Sequence, residues 1–238
     1  MWETLDRIDS PEDFIYDPSL VLYLPLYRLD GASFMSKDAY GHLCTVTGAT
    51  WGSQGRTFNK IDNKITIPDH ASLQNIFDTG GSIGGWIKPN SSGEGDVGRL
   101  VDKSGSSTKG YLLRMETPVG GSSKLVFYYF FSTTYGLWAT TDNVIPFGTF
   151  TKVNLAYNSS DVANSPTIYI NGVSIAITTI QAPVGTRISD VGADLIIGNE
   201  AGTTATFDGI IGEVPIYNRA LSIAEFLNNY LVTKWRYS

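Results

Sequence analysis

Phe207-Asp208-Gly209-Ile210-Ile211-Gly212-Glu213-Val214-Pro215-Ile216-Tyr217-Asn218-Arg219-Ala220-Leu221-Ser222 is the stretch on which the reading of this chain turns. Apolar Phe207, Ile211 and Val214 are mixed with Gly209 and Gly212, as in a strand whose backbone is closely approached or bulged. Pro215 lacks an amide donor, which predicts an edge or a bulge at this end of the strand. Ser222-Ile223-Ala224-Glu225 then reads as a capping box, in which the Ser222 hydroxyl and the Glu225 carboxylate reciprocally satisfy free amides at a helix start. Leu221 and Phe226 are spaced as its hydrophobic staple. Beyond them Phe226, Leu227, Tyr230, Leu231 and Trp235 recur at helical spacing and predict one apolar stripe against the preceding structure.

Upstream, the pattern is that of strands. Leu20-Val21-Leu22-Tyr23-Leu24-Pro25-Leu26 opens the series, a glycine-rich link from Asp30 to Ser36 follows, and His42 to Thr47 alternates around Cys44. Lys64 to Asp69 and Ser82 to Pro89 come next, then Arg99 to Lys103, Tyr111 to Met115, Lys124 to Phe131 and Gly136 to Thr140. In Phe150 to Tyr157 the residues Val153, Leu155 and Tyr157 alternate with Lys152, Asn154 and Ala156, the period of a half-buried strand. Thr167 to Ile175 reads as a hairpin closed by Asn171-Gly172, a strong short signal for a tight turn. Leu195 to Asn199 supplies an inner strand before the closing one.

Length and composition agree with this. The 238 residues carry few charges, 25 glycines and a net charge of −6, which fits one large β-sandwich and argues against disorder. The acidic balance argues against a nucleic-acid binder, which needs a basic face. No apolar run is long enough for a membrane span. The single cysteine, Cys44, excludes an intrachain disulfide and reads as a small buried strand residue. Cys44, His42 and His70 show no recognised zinc spacing.

Residues 1 to 19 hold Glu3, Asp6, Asp9, Glu12, Asp13 and Asp17 against Arg7 alone, so five of the six net negative charges sit there. Trp2, Phe14, Ile15 and Tyr16 predict an arm that docks on the sandwich or on a neighbour. The start Met1-Trp2-Glu3-Thr4-Leu5-Asp6-Arg7 has no apolar signal region, from which assembly inside the cell is expected.

The closing stretch, together with Tyr169-Ile170-Asn171-Gly172 and the tryptophan at Trp86, closely resembles the laminin-G-like, or concanavalin A-like lectin/glucanase, superfamily. The resemblance covers roughly residues 20 to 230 and implies an all-β jelly-roll sandwich of two antiparallel sheets. The expected organisation is an acidic arm at 1–19, a sandwich at 20–221, and a C-terminal amphipathic helix and tail at 222–238. Relatives often hold a structural Ca2+ through an aspartate one residue before the glutamate of the closing strand. Gly212 stands at that position here, which leaves Asp30, Asp38 and Asp208 as metal candidates or, alternatively, as turn caps.

The superfamily's glucanases show a Glu-x-Asp-x-x-Glu pattern that this chain lacks. Asp96, Asp102, Asp142, Asp161 and Glu213 stand isolated and read as solvated turn carboxylates, so no catalytic residue is expected and the chain is not expected to be an enzyme. Tyr128, Phe130, Tyr135 and Trp138 cluster in one aromatic hairpin and read either as core and interface or as a sugar platform. Tyr135 and Trp138 are the glycan-binding candidates, and Trp2, Phe14, Tyr16 and Trp235 the interface candidates. Domains resembling this one occur on phage heads and tails. The expectation is therefore a non-enzymatic structural or decorating protein of a tailed-phage virion, assembled in the host cytoplasm with other virion proteins or copies of itself and open to glycan binding. The alternative is an exported, extracellular carbohydrate-binding or adhesion module.

Overall fold

The computed structural model describes residues 17–238, so most of the expected arm, including Trp2, Phe14 and Tyr16, lies outside the described residues. The chain forms two large antiparallel sheets, the jelly-roll sandwich anticipated above. The first sheet runs in the order Val173–Ile175, Thr167–Ile170, Thr151–Tyr157, Gly81–Pro89, Asp208–Tyr217, Gly55–Asn59, Thr50–Gly52, with Leu20–Leu24 added beside the C-terminal half of Asp208–Tyr217. The second runs Ile177–Gln181, Gly136–Thr140, Leu125–Tyr129, Tyr111–Met115, Arg99–Lys103, Leu195–Ile197, Lys64–Ile67, Leu43–Thr47, Ser33–Met35. Period-two alternation sends Ile83, Ile87, Val153, Leu155, Leu113, Phe127 and Trp138 between the sheets into one continuous core. The Asn171-Gly172 turn has positive φ at both residues, 52° and 79°, as the twist-matched two-residue hairpin requires.

Three expectations change. The link from Asp30 to Ser36 contains an edge strand, Ser33–Met35, paired with Leu43–Thr47. Of the edge or bulge expected at Pro215 the edge is absent, because its strand is flanked by Leu20–Leu24 on one side and Gly81–Pro89 on the other, while the strand is bulged nearby. The sheet accommodates the missing donor by an interruption of the ladder with Gly81–Pro89 at Val214 and Pro215, beyond a bulge between Ile211 and Glu213. The third concerns the helix Ile223–Thr233. Its capping box forms as read, and Leu221 and Phe226 join one buried cluster. Its inward side, however, is Phe226, Asn229 and Thr233, while Leu227, Leu231 and Trp235 are exposed.

The helix and tail cover the outer face of the first sheet. Trp86 Nε1 donates to Thr233 Oγ1 at 2.8 Å, and its indole stacks on Tyr237 at 4.6 Å. Beneath them Lys152 Nζ lies 2.6 Å from Glu213 Oε1, with both side chains 1% exposed. Burial, reinforced by the Glu213 carboxylate, holds the Tyr23 and Tyr237 phenols far above their ordinary range, so both stay protonated. At the helix start Arg219 bridges Asp17 at 2.5 Å and Glu225 at 2.6 Å. Cys44 is fully buried, and burial pushes its thiol up to about 12.

Candidate functional site

The register of the second sheet assembles a row of outward residues, buried in its middle at Ile196, Asp102 and Leu112 and partly exposed at its ends. Thr66 pairs with Ile196, Ile196 with Asp102, Asp102 with Leu112, Leu112 with Tyr128 and Tyr128 with Leu137. Each residue comes from a different strand, so the row crosses the sheet at right angles to the chain direction. At one end of it lies a cleft of about 370 Å³ lined by Val97, Arg99, Leu112, Arg114, Tyr128 and Tyr135, with Ser107 and Phe130 completing the wall.

Three rings form one wall of this cleft. Tyr128 lies 5.4 Å from Tyr135 and 6.5 Å from Phe130, and Phe130 lies 6.1 Å from Tyr135. Tyr135 is 40% exposed. The loop before it is tied down by backbone bonds from Ser132 N to Thr186 O at 2.8 Å and from Thr134 N to Val184 O at 3.1 Å. The Arg114 guanidinium sits 5.3 Å from the Tyr128 ring centre and donates to the Tyr128 hydroxyl at 3.1 Å and to Glu116 at 3.3 Å. Arg99 is bound by Asp102 and, at 2.5 Å, by Glu200. Burial lowers its proton affinity and the Glu200 carboxylate opposes that change. Such a mixture of apolar rings and a few fixed donors suits a ligand with flat apolar faces and hydroxyl edges.

The structure separates the two glycan candidates. Tyr135 stands on the cleft, but Trp138 is 1% exposed and points between the sheets, stacked on Phe127 at 6.0 Å and beside Tyr157 at 5.4 Å. Trp138 is a core residue, because Leu137 and Ala139 occupy the outward positions of its strand opposite Tyr128 and Val126. Trp235 is 61% exposed. The reading of Asp102 and Glu213 as solvated turn carboxylates is also corrected, since both are buried within strands and paired with Arg99 and Lys152. Arg99, Leu112 and Arg114 were missed as site residues. The alternation of Tyr111 to Met115 puts Leu112 and Arg114 on one face, but only the register with Leu125–Tyr129 shows which aromatics they meet.

The residues do not fit the superfamily's Ca2+. A side-chain Cβ at Gly212 would lie 2.4 Å from the Tyr237 ring, so the tail fills the place of the usual aspartate. Asp38 accepts from the amides of Tyr23 and Tyr40, both at 2.9 Å, and Asp208 accepts from Asn90 and Ser91 at 3.1 and 2.6 Å. Asp30 joins neither of them: among the described residues no group of three or more His, Cys, Asp or Glu converges as an ion would require.

The profile described as the concanavalin A-like lectin/glucanases superfamily matches residues 59–225. The chain belongs to this superfamily. No curated protein matches this lectin-like chain by sequence. Solved structures similar to it include the binding domain of Paraclostridial Mosquitocidal Protein 1, at 18% identity and a TM-score of 0.66 over 91% of this chain and 52% of that one. The ligand binding domain of botulinum neurotoxin serotype D, in complex with N-acetylneuraminic acid, follows at 14% identity and 0.63, covering 91% and 51%. Domain 4 of AbnA, a GH43 extracellular arabinanase from Geobacillus stearothermophilus in complex with arabinotriose, aligns at 18% identity and 0.61, covering 89% and 98%. The lectin-like chain thus spans about half the length of the toxin domains it matches. At these identities the likeness speaks for the fold, and a shared sandwich does not carry a shared ligand.

Proposed function

We propose that the chain is a non-catalytic carbohydrate-binding module whose sugar stacks on Tyr135 and Tyr128 and takes hydrogen bonds from Arg114. The observation that carries this reading is the open aromatic cleft on an otherwise strand-built face. Structural neighbours solved with arabinotriose and N-acetylneuraminic acid lend it support. Absence of catalysis is supported by the state of the buried carboxylates. A glycosidase acid needs a carboxyl with raised proton affinity facing the substrate. Burial raises Asp190, but that group is 2% exposed and accepts from the Asn75 amide at 2.9 Å. Asp102 and Glu213 are each held by a cation.

Titration calorimetry with arabinotriose, N-acetylneuraminic acid and a broad glycan array tests the proposal. Saturable binding that disappears in Tyr135→Ala, with thermal unfolding unchanged, is the expected result. Equal binding by the wild type and Tyr135→Ala would move the site elsewhere, and no binding across the array would sink the reading.

A second reading concerns where such a module is mounted. Ile223, Leu227, Leu231 and Trp235, spaced four apart, are 54%, 41%, 46% and 61% exposed. An apolar stripe of this kind on a terminal helix favours contact with another subunit, and a virion surface is the assembly we propose for it. Mass spectrometry of the native particle containing the chain checks this. Free monomer that never travels with capsid or tail proteins would remove the virion and leave an extracellular module.

A further inference from the structure

The longest run without a charge in this chain extends from Val162 to Thr186, although 17% of its residues are charged overall. The later part of that run walls one side of the sandwich. Val173–Ile175 is the end strand of the first sheet and Ile177–Gln181 the end strand of the second, and only Ala176 separates them. Ile175 and Ile177 pack against the core. Ser174, Ala176, Thr178, Thr179 and Ile180 are exposed, Ile180 at 58%.

A strand that ends a sheet turns every second N–H and C=O outward, and proteins usually shield such an edge with charge, proline, a short strand or a covering segment. Other edges of this sandwich carry such devices. Leu20–Leu24 is covered: Asp38 accepts from the Tyr23 amide at 2.9 Å, the Lys37 amide donates to the Tyr23 carbonyl at 2.9 Å, and His42 Nε2 lies 3.0 Å from the Val21 carbonyl. Ser33–Met35 and Thr50–Gly52 have three residues each. Ile177–Gln181 has five, without charge or proline, and among the described residues the only strand it pairs with is Gly136–Thr140. Its one irregularity is a bulge at Ile180, which leaves Ile177, Thr178 and Thr179 in regular register with Thr140, Ala139 and Trp138.

The chemistry of this edge fits a second copy of the same chain. Two copies with a net charge of −6 each repel one another, and they do so least where both surfaces are free of charge. Antiparallel pairing of identical strands is also self-complementary. About a two-fold axis through Thr178, this threonine stands opposite itself, and Ile180 of each copy stands opposite the small Ala176 of the other. Cross-strand threonine pairs favour such a ladder.

We propose that the chain forms a two-fold symmetric dimer by antiparallel pairing of Ile177–Gln181 with the same strand of a second copy, which joins the two second sheets into one. A two-fold axis normal to a sheet preserves its faces, so both aromatic clefts open on the same side of the joined sheet. Tyr128 lies two strands in from the edge, which puts the two Tyr128 residues five inter-strand steps apart, roughly 24 Å. The dimer stands on the edge alone; that it displays two sugar sites rests on the carbohydrate reading.

Sedimentation velocity of the full chain across micromolar concentrations tests the pairing. The wild type is expected to be a dimer. Thr178→Lys sets like charges against each other at the axis and is expected to be a monomer, with thermal unfolding unchanged because the position is exposed. Leu231→Lys, on the exposed stripe of the terminal helix, is expected to remain a dimer. Cys44 is fully buried, so Thr178→Cys supplies the one accessible thiol and is expected to give a disulfide-linked dimer under mild oxidation, since directly opposed strand residues lie within bridging distance. A monomeric wild type, a dimer that survives Thr178→Lys, or one that dissociates in Leu231→Lys would overturn the edge pairing. Bivalency is read separately, on a surface densely coated with arabinotriose or with the array sugar that binds in its place. There Thr178→Lys is expected to lose affinity by about tenfold or more, with its affinity for the free sugar unchanged; equal surface affinities would overturn the same-side placement. A folded, dimeric wild type that binds no sugar would overturn the carbohydrate reading and leave the dimer standing.

Discussion

The two outer faces of the sandwich follow the same period-two alternation and end in opposite conditions. On the first sheet the outward residues Trp86, Lys152, Tyr169, Glu213 and Tyr217 are sealed under Ile223–Thr233 and the tail, and even a charge pair there is nearly dry. On the second sheet the outward row from Thr66 to Tyr128 is bordered by two clefts, and the Arg99, Asp102 and Glu200 charges between them are paired with little exposure. The difference shows that alternation fixes which residues leave the core without fixing what they meet. A helix supplied by the chain itself turns one face into a second, smaller core, and the other face keeps a partly exposed aromatic cleft at one end.

The sharpest way to break this contrast is to disturb the sealed face. Lys152→Met leaves Glu213 buried and unpaired, with an expected cost of about 3–5 kcal/mol in denaturant unfolding. The double change Lys152→Met with Glu213→Leu should recover most of that loss, and a single variant as stable as the wild type would mean that water reaches the pair. Trp138→Ala belongs to the same range, about 3–5 kcal/mol, because its ring lies in the shared core and not on either outer face.

Gly212→Ala comes next. The added carbon meets the Tyr237 ring, so about 1–3 kcal/mol of overpacking is expected, together with a changed near-ultraviolet circular dichroism signal from the Trp86–Tyr237 stack. An unaltered spectrum would show that the tail does not rest where Gly212 makes room for it.

Arg219→Ala probes how the seal is fastened at the helix start. The hydrogen bond from Arg219, acting against a smaller effect of burial, holds Glu225 at about 2, and Asp17 also lies below its ordinary value, where hydrogen bonds from Ser19 and Arg219 overcome burial. Carboxylates held low stabilise the fold above their unfolded pKa and lose that contribution as pH falls toward the folded value. The wild type should therefore exceed Arg219→Ala by about 0.5–1 kcal/mol at neutral pH, with the gap closing between about pH 4.5 and 2. A gap constant across that window would place the effect in packing. Smallest in stability is Tyr135→Ala on the open face, within about 0.5 kcal/mol of the wild type; its effect is expected in sugar binding alone.

Much of the architecture was legible because it rests on local signals. The capping box at Ser222, the Asn171-Gly172 turn and the alternation of Val153, Leu155 and Tyr157 each announce their element within a few residues. Short edge strands such as Ser33–Met35 and Thr50–Gly52 carry too few residues to show a period. The site was half legible. Tyr135 and Tyr128 stood out as aromatics, but Trp138 is separated from them by a single step of register, and one step moves a strand residue to the opposite face. Arg99 and Arg114 needed pairings between distant strands to enter the site at all. The helix stripe was misjudged for a related reason: Leu227 and Leu231 share the helical spacing of Phe226 and Tyr230, and spacing alone does not say which edge of a broad apolar arc turns inward.

The pairing of Leu20–Leu24 with the closing strand sets a constraint in time as well as in space. Tyr23 reaches Glu213 across 190 residues of chain, and at about 5–20 residues per second of synthesis the first strand waits roughly 10–40 s for its partner. Until then Leu20-Val21-Leu22-Tyr23-Leu24 is an unpaired apolar edge, the kind of segment that pairs with copies of itself. Fold completion depends on non-local contacts of the slow class, so the nascent chain is exposed to association in the interval before Asp208–Tyr217 emerges. The segment that begins the sandwich is thus among the last to find its place while the molecule is being made.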